Sequence, residues 1–176
     1  MADKVSVAIS ACDAAAKEYD DYYKSFSGID AKAQGTATVG GIVLAAVASF
    51  FKDGYVVALM KAGGLKVLVV VLPPALSLVA VILSAVALRV KDIIVPFESV
   101  NQMREATDLS KLSSEEFSDE HVITFYLRRN RRWRDALESI HGALQTKANW
   151  TLAAQCVLIT ALFALLVLYL LVLNHA

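Results

Sequence analysis

Between Arg128 and Arg134 the chain reads RRNRRWR, its densest run of ionic residues. Guanidinium forks match phosphate and carboxylate oxygens, so Arg128, Arg129, Arg131, Arg132 and Arg134 are candidate contacts for an anionic ligand or an acidic partner. A competing reading needs no ligand. Glu115, Glu116, Asp119, Glu120, Asp135 and Glu138 stand close enough in sequence to pair with these arginines along or between helices. Lipid phosphate is a poor fit for the cluster. Arg134 and Arg128 precede Trp150 by 16 and 22 residues. A straight helix then sets them roughly 24 and 33 Å from a membrane entry at that tryptophan, whereas a surface potential decays over about 8–10 Å.

Other groups carry less chemistry. Glu138-x-x-His141 has the one-turn spacing of a carboxylate-bridged metal motif, but the second motif and extra glutamates of such sites are missing. His121 follows Asp119-Glu120 near an expected helix start, and His175 is terminal. No Ser-His-Asp or Cys-His arrangement, phosphate-cradling glycine loop or zinc spacing is present. Cys12 and Cys156 read as small packing residues, because two cysteines do not make a disulfide framework. No enzymatic activity, cofactor or metal is expected.

The elements that must position these residues are apolar to an unusual degree. Of 176 residues 57% are hydrophobic, and the mean hydropathy is +0.54, above what a soluble domain of ordinary composition carries. Lys plus Arg (17) equals Asp plus Glu (17), so no global field points to nucleic acid. Trp150 to Leu173 holds no charged residue and is long enough to cross a hydrocarbon core, with Trp150 and Tyr169 at headgroup level. Gly35–Phe51 is a second, shorter uncharged run. Gly41, Ala45 and Ser49 recur in it every four residues, a small-residue face suited to close helix approach. Leu65–Leu88 is the third apolar run, interrupted by Pro73-Pro74, where missing backbone donors predict a kink. Ser77 and Ser84 share a face and are candidate partners for the freed carbonyls. Tyr55–Met60 is too short to span and reads as an interfacial connection.

The polar segments are helical too. Val5, Ile9, Cys12, Ala16, Tyr19, Tyr23 and Phe26 step by four and three, a heptad seam that Ser27-Gly28 punctuates. Ile93, Phe97 and Val100 keep helical spacing through about Asp108, with Pro96 a candidate kink. Ser113 to Glu116 resembles a capping box opening a helix, and that helix is expected to run unbroken into the Trp150 span. Along it Tyr126, Asn130, Trp133, Leu137, Ile140 and Leu144 form a second seam, with Asn130 its one polar member. Both seams, with the Gly41/Ala45/Ser49 face, are the expected oligomer interface.

Ten Lys and Arg residues lie between Arg89 and Lys147, so the positive-inside rule makes that segment cytoplasmic. The expected fold is therefore all-α, an integral membrane protein with three transmembrane helices and a cytoplasmic helical, coiled-coil-like bundle. It divides into an amphipathic cytoplasmic helix (1–34), a two-helix membrane hairpin (35–88), a cytoplasmic stalk (89–148) and a C-terminal transmembrane helix (149–176). The N-terminus lies inside and the C-terminus outside. An early acid and no sustained apolar core argue against a cleavable signal peptide. Apart from Lys66, at the second position of Leu65–Leu88, the membrane runs hold no ionic residue, which disfavours an active transporter.

An amphipathic helix leading through Asp30-Ala31-Lys32-Ala33-Gln34 into a span, followed by a second span and a helical segment with Trp133, resembles the small membrane effectors of bacterial antiphage defence. These are the SLATT and Pycsar transmembrane effector families. The resemblance covers mainly the first 90 residues; the third span departs from the plain two-span pattern. It implies an oligomeric inner-membrane effector that permeabilises the membrane on activation, with a nucleotide signal or soluble partner acting at the cytoplasmic bundle. The alternative is a structural or adaptor membrane protein whose bundle docks a soluble partner. In either case the lipid bilayer and further copies of the chain are the expected partners.

Overall fold

A computed structural model of the chain describes residues 2–52, 54–61, 63–89, 93–94, 96, 99–111 and 118–174. Every regular element among them is a helix: α1 (Ala2–Phe50), α2 (Gly54–Lys61), α3 (Leu65–Leu88), α4 (Ser99–Ser110) and α5 (Asp119–Leu173). Three of these, α1, α3 and α5, are long and apolar enough to cross a membrane.

Neither α1 nor α5 contains proline, and both run unbroken from polar into apolar sequence. The break expected at Ser27-Gly28 is absent. A glycine inside a helix costs about 1 kcal/mol relative to alanine, too little to end a helix whose inward face continues on both sides. Ser118 precedes the first turn of α5, with its Oγ 2.8 Å from His121 Nδ1, and Asp119 and Glu120 there oppose the positive end of the helix dipole. The capping box at 113–116 lies outside the described residues. Of the helix expected from Ile93, the described part is α4: Ile93 and Ile94 are not helical, Pro96 sits in a bend, and α4 spans Ser99–Ser110.

The chain divides into two compact units, Met1–Phe26 with Lys91–Gln145, and Ser27–Val90 with Thr146–Ala176. The hydropathy boundaries at 34/35 and 148/149 therefore fall inside the second unit. Hydropathy marks where lipid-compatible residues begin; packing marks where a helix changes partners.

In the first unit α1 and α5 run parallel, with Cys12 beside Asn130 and Tyr22 beside His141. Ala8 and Cys12 are buried against a face carrying Trp133, Ala136, Ile140 and Ala143. Tyr19 meets Trp133 edge-on at 5.6 Å. The first half of the predicted α1 seam, Val5, Cys12, Tyr19 and Phe26, faces inward. Ile9 and Ala16 are half-buried as well, but Tyr23 is 58% exposed, while its neighbour Tyr22 is half-buried and meets the His141 ring edge-on.

In the second unit α1 and α5 are again parallel and α3 is antiparallel to α1. Seven-residue spacing continues through it. Ala33, Gly40 and Val47 are buried on α1, Val70, Ser77 and Ser84 on α3, and Lys147, Ala154, Ala161 and Leu168 on α5. The short α2 folds Val56 onto Val70 and Leu168, with Phe50, Leu59, Val69 and Val172 packed around them. Outward, Ile42, Leu68, Leu78, Ile82, Leu152, Ile159 and Phe163 are each more than half exposed. A continuous apolar surface of this kind is unfavourable in water and suits lipid.

The close approach of helices is at Gly40, not at its neighbour. A Cβ on Gly40 would lie 2.8 Å from Val81 Cγ2 and 3.5 Å from the Ser77 carbonyl oxygen, whereas one on Gly41 meets nothing within 4 Å. Gly41, Ala45 and Ser49 are exposed. The face read as packing the spans points away from α3 and α5.

Candidate functional site

The one ionic side chain buried in the second unit among the described residues is Lys147. The seven-residue spacing of α5 carries it to the position that Ile140 and Ala154 occupy a heptad away, so helix geometry forces it inward. Its Nζ lies 2.5 Å from Asp30 Oδ1 on α1; the lysine side chain is 7% exposed and the aspartate 31%. The attraction is strong because solvent screening is weak there, yet desolvating two charges offsets much of it. What such a pair specifies best is register. Asp30 accepts from Lys147 at one height of the parallel pair only.

Around this pair the inward groups are small or hydroxylic. Ala33 is fully buried, and Thr36, Thr151, Ser77 and Ser84 are buried polar residues. Thr36 Oγ1 donates to the Lys32 carbonyl at 2.8 Å and Thr151 Oγ1 to the Lys147 carbonyl at 2.9 Å. Each thus returns its proton to its own helix. Ser77 Oγ donates to the Pro73 carbonyl at 2.9 Å. The carbonyls that Pro73 and Pro74 leave without an amide donor belong to Val69 and Val70. Neither serine serves them: Ser77 is committed to Pro73, and Ser84 Oγ has no hydrogen-bond partner among the described residues. The helix nevertheless runs through both prolines from Leu65 to Leu88.

The structure disperses the arginine cluster of the first unit. Arg132 Nη2 reaches Glu105 Oε1 of α4 at 3.7 Å, and Arg134 Nε lies 3.7 Å from Asp135 Oδ1. Arg128 lines a cavity of about 550 Å³ with Glu105, Asp108, Glu120, His121 and Phe125. Arg129 is half-buried and acts on Cys12, and Arg131 is exposed. Helical periodicity turns consecutive arginines by about 100° each, so five guanidiniums do not converge on one anion.

Tyr126, Asn130, Leu137 and Leu144 are half-buried, and Trp133 and Ile140 are buried within the single chain. Cys12 Sγ donates to Asn130 Oδ1 at 2.8 Å, which occupies the polar member of the seam. Burial pushes the Cys12 thiol up; Arg129 opposes this and Asp13 adds to it. The group stays a protonated donor. Tyr19 is likewise raised by burial, with Tyr23 contributing. His141 lies edge-on to Tyr22 at 5.7 Å.

Sequence reasoning missed Asp30, Lys147 and Gly40 as positioning residues. The signal was present: extending Phe26 by sevens gives Ala33, Gly40 and Val47, and extending Ile140 gives Lys147, Ala154, Ala161 and Leu168. No protein-family model, curated protein or solved structure matches the chain. The class that fold and site define is an all-helical chain with three span-length apolar helices and a buried ion pair between two of them.

Proposed function

We propose that the chain is an oligomeric effector of the bacterial inner membrane that permeabilises the bilayer on activation, in the setting of antiphage defence. In this reading the first unit is the cytoplasmic, signal-receiving bundle and the second is the membrane portion. The N-terminus lies inside and the C-terminus outside. The observation that carries the proposal is the unbroken course of α1 and α5, each of which has polar and apolar lengths in one continuous helix. A change in packing around Trp133 then has a direct mechanical route to the apolar lengths. A nucleotide or a soluble protein is the proposed trigger. The antiphage setting rests on the resemblance carried by Asp30 to Gln34 and Trp133.

A second reading is favoured by the 550 Å³ cavity between α4 and α5: a structural or adaptor protein whose bundle docks a soluble partner. Dye release from liposomes separates the two. The effector reading expects release by the wild-type protein, reduced by Trp133→Ala and by Gly41→Leu. Sealed liposomes, together with a partner that co-purifies and is lost on Arg128→Glu, support the adaptor.

A further inference from the structure

We propose that the first unit docks a second copy of this chain through matched charges: Asp13 and Lys17 on α1 of one copy meet Arg131 and Asp135 on α5 of the next. The inference rests on the oligomeric membrane reading above and adds the surface and its polarity. Within the unit α1 and α5 are parallel. Cys12 and Asn130, in contact at 2.8 Å, are 118 apart in sequence. By the same separation Asp13 is level with Arg131, and Lys17 with Asp135.

All four side chains are exposed. Among the described residues Asp13, Lys17 and Arg131 form no ion pair within the chain, and Asp135 touches only its exposed neighbour Arg134, at 3.7 Å. Each pair is spaced by four residues, so its two charges lie on one helix face. The order of signs decides the orientation. Parallel neighbours bring Asp13 to Arg131 and Lys17 to Asp135, whereas antiparallel neighbours bring Asp13 to Asp135 and Lys17 to Arg131. Copies inserted in one bilayer are parallel, which is the arrangement the charges favour. The contact pairs α1 of one copy with α5 of another, so it is made either twice across a two-fold axis or head-to-tail between successive copies. A single exposed pair contributes little; two such pairs at every interface, with repulsion in the reverse orientation, select the arrangement.

The test uses full-length protein in nanodiscs or mild detergent, with oligomer mass as the readout. One variant carries Asp13→Arg with Lys17→Asp, the other Arg131→Asp with Asp135→Arg. Each alone should associate at least about tenfold more weakly than wild type, since like charges then face each other. Mixed, they should recover wild-type mass, because the altered α1 of one meets the altered α5 of the other. Recovery also shows that both variants are folded. Unchanged mass in either single variant, or a mixture that stays apart, overturns the interface and leaves dye release by the wild type unaffected. A wild-type chain that is monomeric overturns the interface and the oligomeric reading together.

Discussion

Replacing Asp30 with alanine should destabilise the chain by about 3–5 kcal/mol, the cost of leaving a buried charge without its counter-ion. The Lys147 side chain is 7% exposed and has no ready access to water, whereas the Asp30 side chain at 31% does. Lys147→Met should therefore cost less, about 1–3 kcal/mol, as the remaining carboxylate is partly hydrated. The double substitution should be milder than Asp30→Ala alone, because no charge is left stranded. Thermal unfolding in detergent measures all three. Additive losses would mean that the two residues act separately and that the pair does not set register between α1 and α5.

Gly40 and Gly41 should respond in opposite ways to the same substitution. Gly40→Leu forces a side chain against Val81 Cγ2, which a Cβ alone would already approach to 2.8 Å. Valine is stiff at χ1 and yields poorly, so overpacking by about 1–3 kcal/mol is expected. Val81→Ala in the same chain should recover much of that loss. Gly41→Leu enters open space and should change stability by no more than about 0.5 kcal/mol, while reducing dye release if that face joins copies. Equal destabilisation by the two would contradict the placement of α1 against α3.

Most of the architecture was legible in the residues. The three apolar runs lie in α1, α3 and α5, and the absence of proline between Asp119 and Leu173 signalled one long helix. Trp133 and Ile140 stand out because the residues around them are charged. Inside the apolar runs that contrast disappears. Residues that face lipid are as hydrophobic as residues that face another helix, and the inward ones are mostly small, so no amphipathic moment marks the face. Gly40 and Gly41 are indistinguishable on composition, and only the count of seven from Phe26 separates them. Lys147 was read as a flanking charge because it lies beside a span; the same count from Ile140 places it at the seam. The stop expected at Ser27-Gly28 failed for a related reason, since local turn chemistry was outweighed by a face that continues on both sides of it.

The central claim is that α1, α3 and α5 cross the bilayer, with α1 and α5 entering from the same side. A membrane-impermeant thiol reagent applied to intact cells tests it most directly, in a background of Cys12→Ala and Cys156→Ala. The account predicts that Lys52→Cys, at the turn after α1, is labelled from outside, and that Arg131→Cys is labelled only after the cells are permeabilised. Labelling of Arg131→Cys in intact cells would contradict it.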